Sequence, residues 1–230
     1  VEKFRLGATD QFAPTKDASA CPGFSVRNLC ANGRIVMPDG SVRDLYAERI
    51  AAERPKKLNE NGMSVGLIVE YGPFRLYTAG DFSDSWRLPD GRVFQVEEAQ
   101  AAELDRVDVA KLNHHGCVST PVALARALAP RVWLSAAFAT HQDDDGTLQR
   151  CLCASSYPGA RVFAPNVMPA GRLAAAREKG LEWVKTLAEA TREEMHVIVT
   201  VAPGGEDYTL SFVPAKDESM VVRDVMQFKS

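Results

Sequence analysis

Val107-Asp108-Val109-Ala110-Lys111-Leu112-Asn113-His114-His115-Gly116 is the stretch on which the reading of this chain turns. Val107 to Leu112 reads as a strand, and it runs directly into a turn holding two imidazoles and a glycine. The chain has only four histidines, His114, His115, His141 and His196, and three of them follow predicted strands. Loops at the carboxyl ends of strands converge side chains on one point, so this clustering marks a candidate site.

Upstream, Val65, Leu67, Val69 and Tyr71 alternate along one face, Gly72-Pro73 turns the chain, and Phe74, Leu76 and Thr78 alternate back. The pattern predicts a β-hairpin. Its return strand ends at Gly80-Asp81 and delivers a carboxylate at its carboxyl end. Phe24 to Cys30 and Arg34 to Met37 read as short strands, Val42 to Arg54 as a charged helix, and the residues before Cys21 as an irregular lead-in rich in turn formers. Val93 to Leu104 has helical spacing, with acidic residues near its start that suit the helix dipole.

Downstream, Pro121 to Ala129 reads as a helix with proline in its first turn. Arg131 to Ala136 reads as a strand leading to Thr140-His141. A short helix (Thr147 to Ala154), a short strand (Arg161 to Ala164) and a longer helix (Gly171 to Thr191) follow. Val197 to Val201 and Tyr208 to Phe212 alternate as strands around Pro203-Gly204-Gly205, with a last strand near Val221 to Phe228. Hairpins and crossovers in one chain predict an α/β (α+β) fold with sheets covered by helices.

Composition narrows the class. At 230 residues with 46% hydrophobic and 25% charged residues the chain is built to bury a core, which excludes disorder and coiled coil. The net charge of −3 comes from well-mixed charges, so no basic stripe points to nucleic-acid binding, although metal ions can hold phosphates without one. Apolar runs are strand-sized, far short of the ~20 residues a membrane helix needs. Five irregularly spaced cysteines predict mostly reduced thiols and a soluble, cytoplasmic protein, with secretion and a Cys21–Cys30 loop as open alternatives. Cys151-Leu152-Cys153 lacks zinc-knuckle spacing and reads as structural. Asp143 to Asp145 reads as a solvated loop, Trp86, Trp133 and Trp183 as core or apolar surface, His196 as a structural or surface residue, and Lys111 as a buried stem or pocket rim.

Taken in order, Asn59-Glu60-Asn61-Gly62-Met63-Ser64, Thr78-Ala79-Gly80-Asp81 and the strand ending His114-His115-Gly116 resemble the metallo-β-lactamase superfamily, and more narrowly its ComEC-type branch. The resemblance runs from about Asn59 to about Pro165. It implies an αββα sandwich, with residues 59–230 as the C-terminal half of the domain and residues 1–58 as a lead-in and remnant of the N-terminal half. It further implies two divalent metal ions, zinc or else manganese, with Asp81 as bridging carboxylate and His141 as a ligand. His114 and His115 would line the site, His115 nearer the metals, and one of them would meet the charge that develops on the attacked group. The implied activity is hydrolysis of a phosphate ester or phosphodiester, a small molecule or a nucleotide, by metal-held hydroxide. Gly116 would allow close backbone approach in the turn.

One departure is informative. The family's His-x-His-x-Asp-His cluster, which belongs to the N-terminal half, is absent, and four histidines cannot supply it. Because the chain also begins at Val1 without a methionine, the reading expects a partner in the form of the missing N-terminal half, or association into a homodimer. Two alternatives stand beside the enzyme: a non-catalytic binding or assembly module of the same fold, and a mononuclear site built from Asp81, His115 and His141.

Overall fold

The strongest alternation in the sequence becomes the middle of a large sheet. The structure, a computed structural model, describes residues 2–14, 18–52, 60–136, 160–163, 174, 178, 194–216 and 218–230. In chain order these form β1 (Phe24–Ala31), β2 (Arg34–Val36), β3 (Val42–Asp44), α1 (Leu45–Ala52), β4 (Gly66–Tyr71), β5 (Phe74–Thr78), β6 (Ser85–Arg87), β7 (Val93–Gln95) and α2 (Val96–Ala101). Then come β8 (Val109–Lys111), α3 (Val122–Leu128), β9 (Val132–Leu134), β10 (Arg161–Phe163), β11 (Met195–Val201), β12 (Asp207–Pro214) and β13 (Asp224–Lys229).

Eight strands make one sheet in the order β10-β9-β8-β5-β4-β1-β2-β3, and β11-β12-β13 make a second, three-stranded one. β5, β8, β9 and β10 run parallel, and the remaining neighbours of the large sheet are antiparallel. The parallel part follows from the helical crossover α3 between β8 and β9.

Register assigns each face of the parallel strands its own core. Tyr77, Ala110, Trp133 and Val162 lie in one row across the four strands. They pack with Leu124, Ala125 and Leu128 of α3 in the core on the helix side. Each fully buried leucine there contributes roughly 1.5–3 kcal/mol. The neighbouring row, Leu76, Val109 and Val132, faces the three-stranded sheet and its Tyr208, Leu210 and Phe212. Phe74 meets Tyr208 at 5.1 Å between ring centroids, and Phe163 meets Phe212 at 5.2 Å. Both faces of the parallel strands are therefore apolar, as such strands require. The layers are helices, large sheet and small sheet, a mixed α and β class with more strand than helix among the described residues.

The turns of the two sheets also meet. Gly72, at φ 56°, lies with Pro73 between the paired Tyr71 and Phe74, and a Cβ on Gly72 would overlap the carbonyl oxygen of Gly204. Gly204 N in turn donates to Tyr71 Oη at 3.2 Å.

Several expectations change. Val42 to Arg54 is not one helix: its first three residues pair with β2, and α1 starts at the buried Leu45, with Asp44 Oδ1 accepting from Ala47 N at 2.9 Å as its cap. That hydrogen bond, with Arg34 beside it, holds the Asp44 carboxyl below the usual range. Val93 to Leu104 divides in the same way, because Phe94 is the cross-strand partner of Trp86 in the β6–β7 hairpin, 4.6 Å away. The last strand begins at Asp224 rather than Val221. Cys21 and Cys30 are free thiols, so the alternative loop between them does not form.

The described residues before Cys21 form no long element but are anchored. Gly7 N donates to Asn28 O at 2.8 Å, and Asn28 N donates to Ala8 O at 3.0 Å. Trp86 and Trp133 are core residues, as expected. His141, Asp143 to Asp145, Cys151, Cys153, Trp183, the helix Thr147 to Ala154, and all of the helix Gly171 to Thr191 except Ala174 and Glu178 lie outside the described residues. No described helix is long and apolar enough to cross a membrane.

Candidate functional site

β5 and β8 are parallel neighbours, so the segments leaving their carboxyl ends emerge side by side. After β5 the chain turns at Gly80 (φ 56°) and presents Asp81. After β8 it enters a 3₁₀-like turn, Asn113–Gly116, in which His114 (φ 44°), His115 (φ 58°) and Gly116 (φ 82°) are all left-handed. That conformation costs a residue with a Cβ roughly 1–2 kcal/mol, so the surroundings must hold the two histidines there.

They do so through the backbone. His114 N donates to Gly80 O at 3.3 Å, Ser135 Oγ donates to His115 O at 3.2 Å, and Ser119 Oγ donates to Asn113 O at 2.7 Å. The consequence is orientation. His115 Nε2 lies 3.3 Å from Asp81 Oδ2, and both side chains stay over a third exposed. His114 Nε2 instead lies 3.3 Å from Asn61 Nδ2. The structure thus brings Asp81 and His115 together and sets His114 beside Asn61.

Lys111 braces both turns from within. Its Nζ donates to Gly80 O at 2.7 Å and to Leu112 O at 2.9 Å. Burial pushes its pKa below the ordinary lysine range, and the charge of Asp81 opposes that shift.

Beneath the turn runs a buried polar chain. Asn113 Nδ2 donates to Glu97 Oε1 at 2.9 Å and to Tyr77 Oη at 3.0 Å, and Thr120 N donates to the same Glu97 oxygen at 2.8 Å. Tyr77 Oη donates to Gln100 Oε1 at 2.6 Å, and Gln100 Nε2 reaches Cys30 Sγ at 3.4 Å. Burial drives the Tyr77 hydroxyl well above its usual pKa and the Cys30 thiol up to about 12, so both stay protonated, Tyr77 donating to Gln100 and Cys30 accepting from Gln100 while donating to Ser64 O at 3.7 Å. Glu97 corrects a simple reading. An acid near a helix start suits the dipole, but this one is 2% exposed and ties α2 to the histidine turn.

The donor types suit a divalent metal. Two ligands of one tetrahedral zinc, each ~2.0–2.1 Å from it, stand ~3.3 Å apart, the separation of Asp81 Oδ2 and His115 Nε2. The residues therefore fit as two donors of such a centre. Among the described residues no group of three or more His, Cys, Asp or Glu comes together.

Asn61, Glu97 and the bracing role of Lys111 escape a search for ligands. The faint signals were the position of Asn61 in the Asn-rich turn and the inward spacing of Val96, Glu97, Ala99 and Gln100, all buried. The chain matches no protein-family model and no curated protein.

Proposed function

We propose that this chain supplies Asp81 and His115 to a metal centre that hydrolyses a phosphate ester or phosphodiester, in a fold of the metallo-β-lactamase type. The observation that carries the reading is the Asp81–His115 pair at the carboxyl ends of adjacent parallel strands, spaced as two ligands of one ion. The order of the Asn-rich turn, Gly-Asp and His-His-Gly motifs supports it, and so do the layers: helices, sheet and sheet are three of the four in an αββα sandwich.

Bound divalent ions would supply Lewis acidity toward a phosphoryl oxygen and lower the pKa of bound water to ~7. The chain's own part is positional. Asp81 offers an oxygen able to bridge two ions, and His115 offers Nε2. The left-handed turn aims the imidazole, and the Lys111 ammonium ties the Asp81 turn to the end of β8. His114, engaged by Asn61, steadies the turn rather than adding a ligand. His141, outside the described residues, is the further ligand that the resemblance implies.

The test is turnover of bis(4-nitrophenyl) phosphate and 4-nitrophenyl phosphate by the purified chain with zinc or manganese. Metal-dependent hydrolysis should fall by about 100-fold or more in Asp81→Ala, since even groups that only orient ligands are worth 10–100-fold. Turnover equal in wild type and Asp81→Ala would defeat the hydrolase reading and favour the binding or assembly module.

A further inference from the structure

A second feature sits at the same end of the parallel strands, on the face opposite the helices. The last residues of β5, β8, β9 and β10, which are Thr78, Lys111, Leu134 and Phe163, form one wall of a cavity of about 370 Å³. Met195 and Val197 of β11 close it from the small sheet. Carboxyl ends of parallel strands are where α/β proteins place small-molecule sites, and the volume lies within the ~300–1,000 Å³ such sites occupy.

The lining is selective. Among the described lining residues the surface is mostly aliphatic and aromatic, Thr78 and Ser135 are the neutral polar ones, and Lys111 is the charged side chain on this face, His196 pointing away from it on the opposite side of β11 from Met195 and Val197. Two of the three ammonium donors of Lys111 are held by the carbonyls of Gly80 and Leu112, which fixes the charge at the cavity wall and leaves one donor for a ligand. A positively biased end on an apolar chamber matches an amphipathic anion.

We propose that this cavity binds a small organic anion, its apolar body between the two sheets and its acidic group on Lys111. The proposal does not depend on metal at Asp81 and His115.

Calorimetric titration of 2-naphthylphosphonate into the full chain, with a chelator present to exclude metal-borne binding, tests it. Saturable one-to-one binding is expected, with methylphosphonate and 2-naphthol each weaker by at least ~10-fold, since each lacks one half of the recognised chemistry. Ala136→Trp should fill the mouth and weaken binding ~10-fold or more. The position is exposed, so the change leaves the core undisturbed. Lys111→Met should weaken binding likewise, with circular dichroism checking that the turns it braces survive. Asp81→Asn removes a negative charge that acts on Lys111, so it should bind the anion no more weakly than wild type, which separates this site from the metal reading. The proposal fails if no saturable binding occurs at millimolar ligand, if Ala136→Trp and Lys111→Met bind like wild type, if naphthol binds as tightly as the phosphonate, or if Asp81→Asn abolishes binding.

Discussion

Asp81 Oδ2 and His115 Nε2 lie 3.3 Å apart because β5 and β8 are parallel neighbours and because His115 occupies a left-handed backbone conformation. Orientation here is gained at the expense of stability. An exposed pair of this kind contributes little, about 0–1 kcal/mol, whereas a Cβ at φ 58° costs roughly 1–2 kcal/mol. His115→Gly is therefore expected to leave the melting temperature unchanged or to raise it by a few degrees, ~2–4 °C per kcal/mol for a chain of this size. The Ser135 hydrogen bond survives because it goes to the His115 carbonyl. A fall of more than ~5 °C in thermal denaturation would show that the ring is a structural support rather than a strained functional group.

The buried chain under the turn behaves differently. Asn113→Ala takes the Asn113 donor from the Glu97 carboxylate in a buried site, and a loss of about 1–3 kcal/mol in urea denaturation is expected. Glu97→Gln keeps an oxygen that accepts from both Asn113 Nδ2 and Thr120 N, so its effect should be smaller. Equal losses in the two variants would mean that charge, not hydrogen bonding, holds α2 to the turn.

Gly66 lies where β4 passes Cys30. An added Cβ would sit 2.5 Å from Cys30 Sγ and 3.2 Å from Ala79 Cβ, so Gly66→Ala should cost about 1–3 kcal/mol through overpacking. Cys30 itself reports the event. Burial holds its pKa at about 12 and shields it, so iodoacetamide should label Cys21 and Cys117 first and Cys30 only on unfolding. Mass mapping of labelled peptides against urea concentration should show Cys30 reacting earlier in Gly66→Ala. Identical labelling curves would disprove the packing account.

Asp108 predicts a pH effect with a definite sign. Burial raises its pKa above the ordinary 3.8, against the hydrogen bond from Arg75 N and the charges of Arg106, Arg131 and Arg75. The folded state thus holds the proton more tightly than the unfolded one. Its contribution to stability is fully present below pH 3.8 and is lost as the pH rises through the raised value. Asp108→Asn retains an oxygen for the Arg75 N–H and avoids the charged form, so it should be more stable than wild type at pH 7 and no more stable at pH 3. A variant less stable at pH 7 would show that the three arginines outweigh desolvation.

Much of this was legible in the sequence for a physical reason: alternation over five or more residues and a glycine-marked turn leave few alternatives. The β4–β5 hairpin, the strand into His114-His115 and the α3 helix all have that length or that punctuation. Three-residue strands do not, and Val42 to Asp44 and Val93 to Gln95 merged into the helices beside them because a window tuned to helical spacing cannot see so short an edge. Glu97 illustrates a different limit. A charged residue at a helix start looks solvated until tertiary structure supplies Asn113 and Thr120 as donors from another segment. The pairing of His114 with Asn61 is of the same kind, since both belonged to recognisable motifs while nothing in either specified their contact.

The most direct test of the central claim is metal binding by the purified chain and by Asp81→Ala, measured by zinc titration against a chromophoric chelator with elemental mass spectrometry on the isolated protein. Tight zinc uptake by the wild type that is lost in Asp81→Ala, with both proteins folded by circular dichroism, is the predicted result. No uptake, or uptake unchanged by the substitution, would contradict the assignment of Asp81 and His115 as metal ligands.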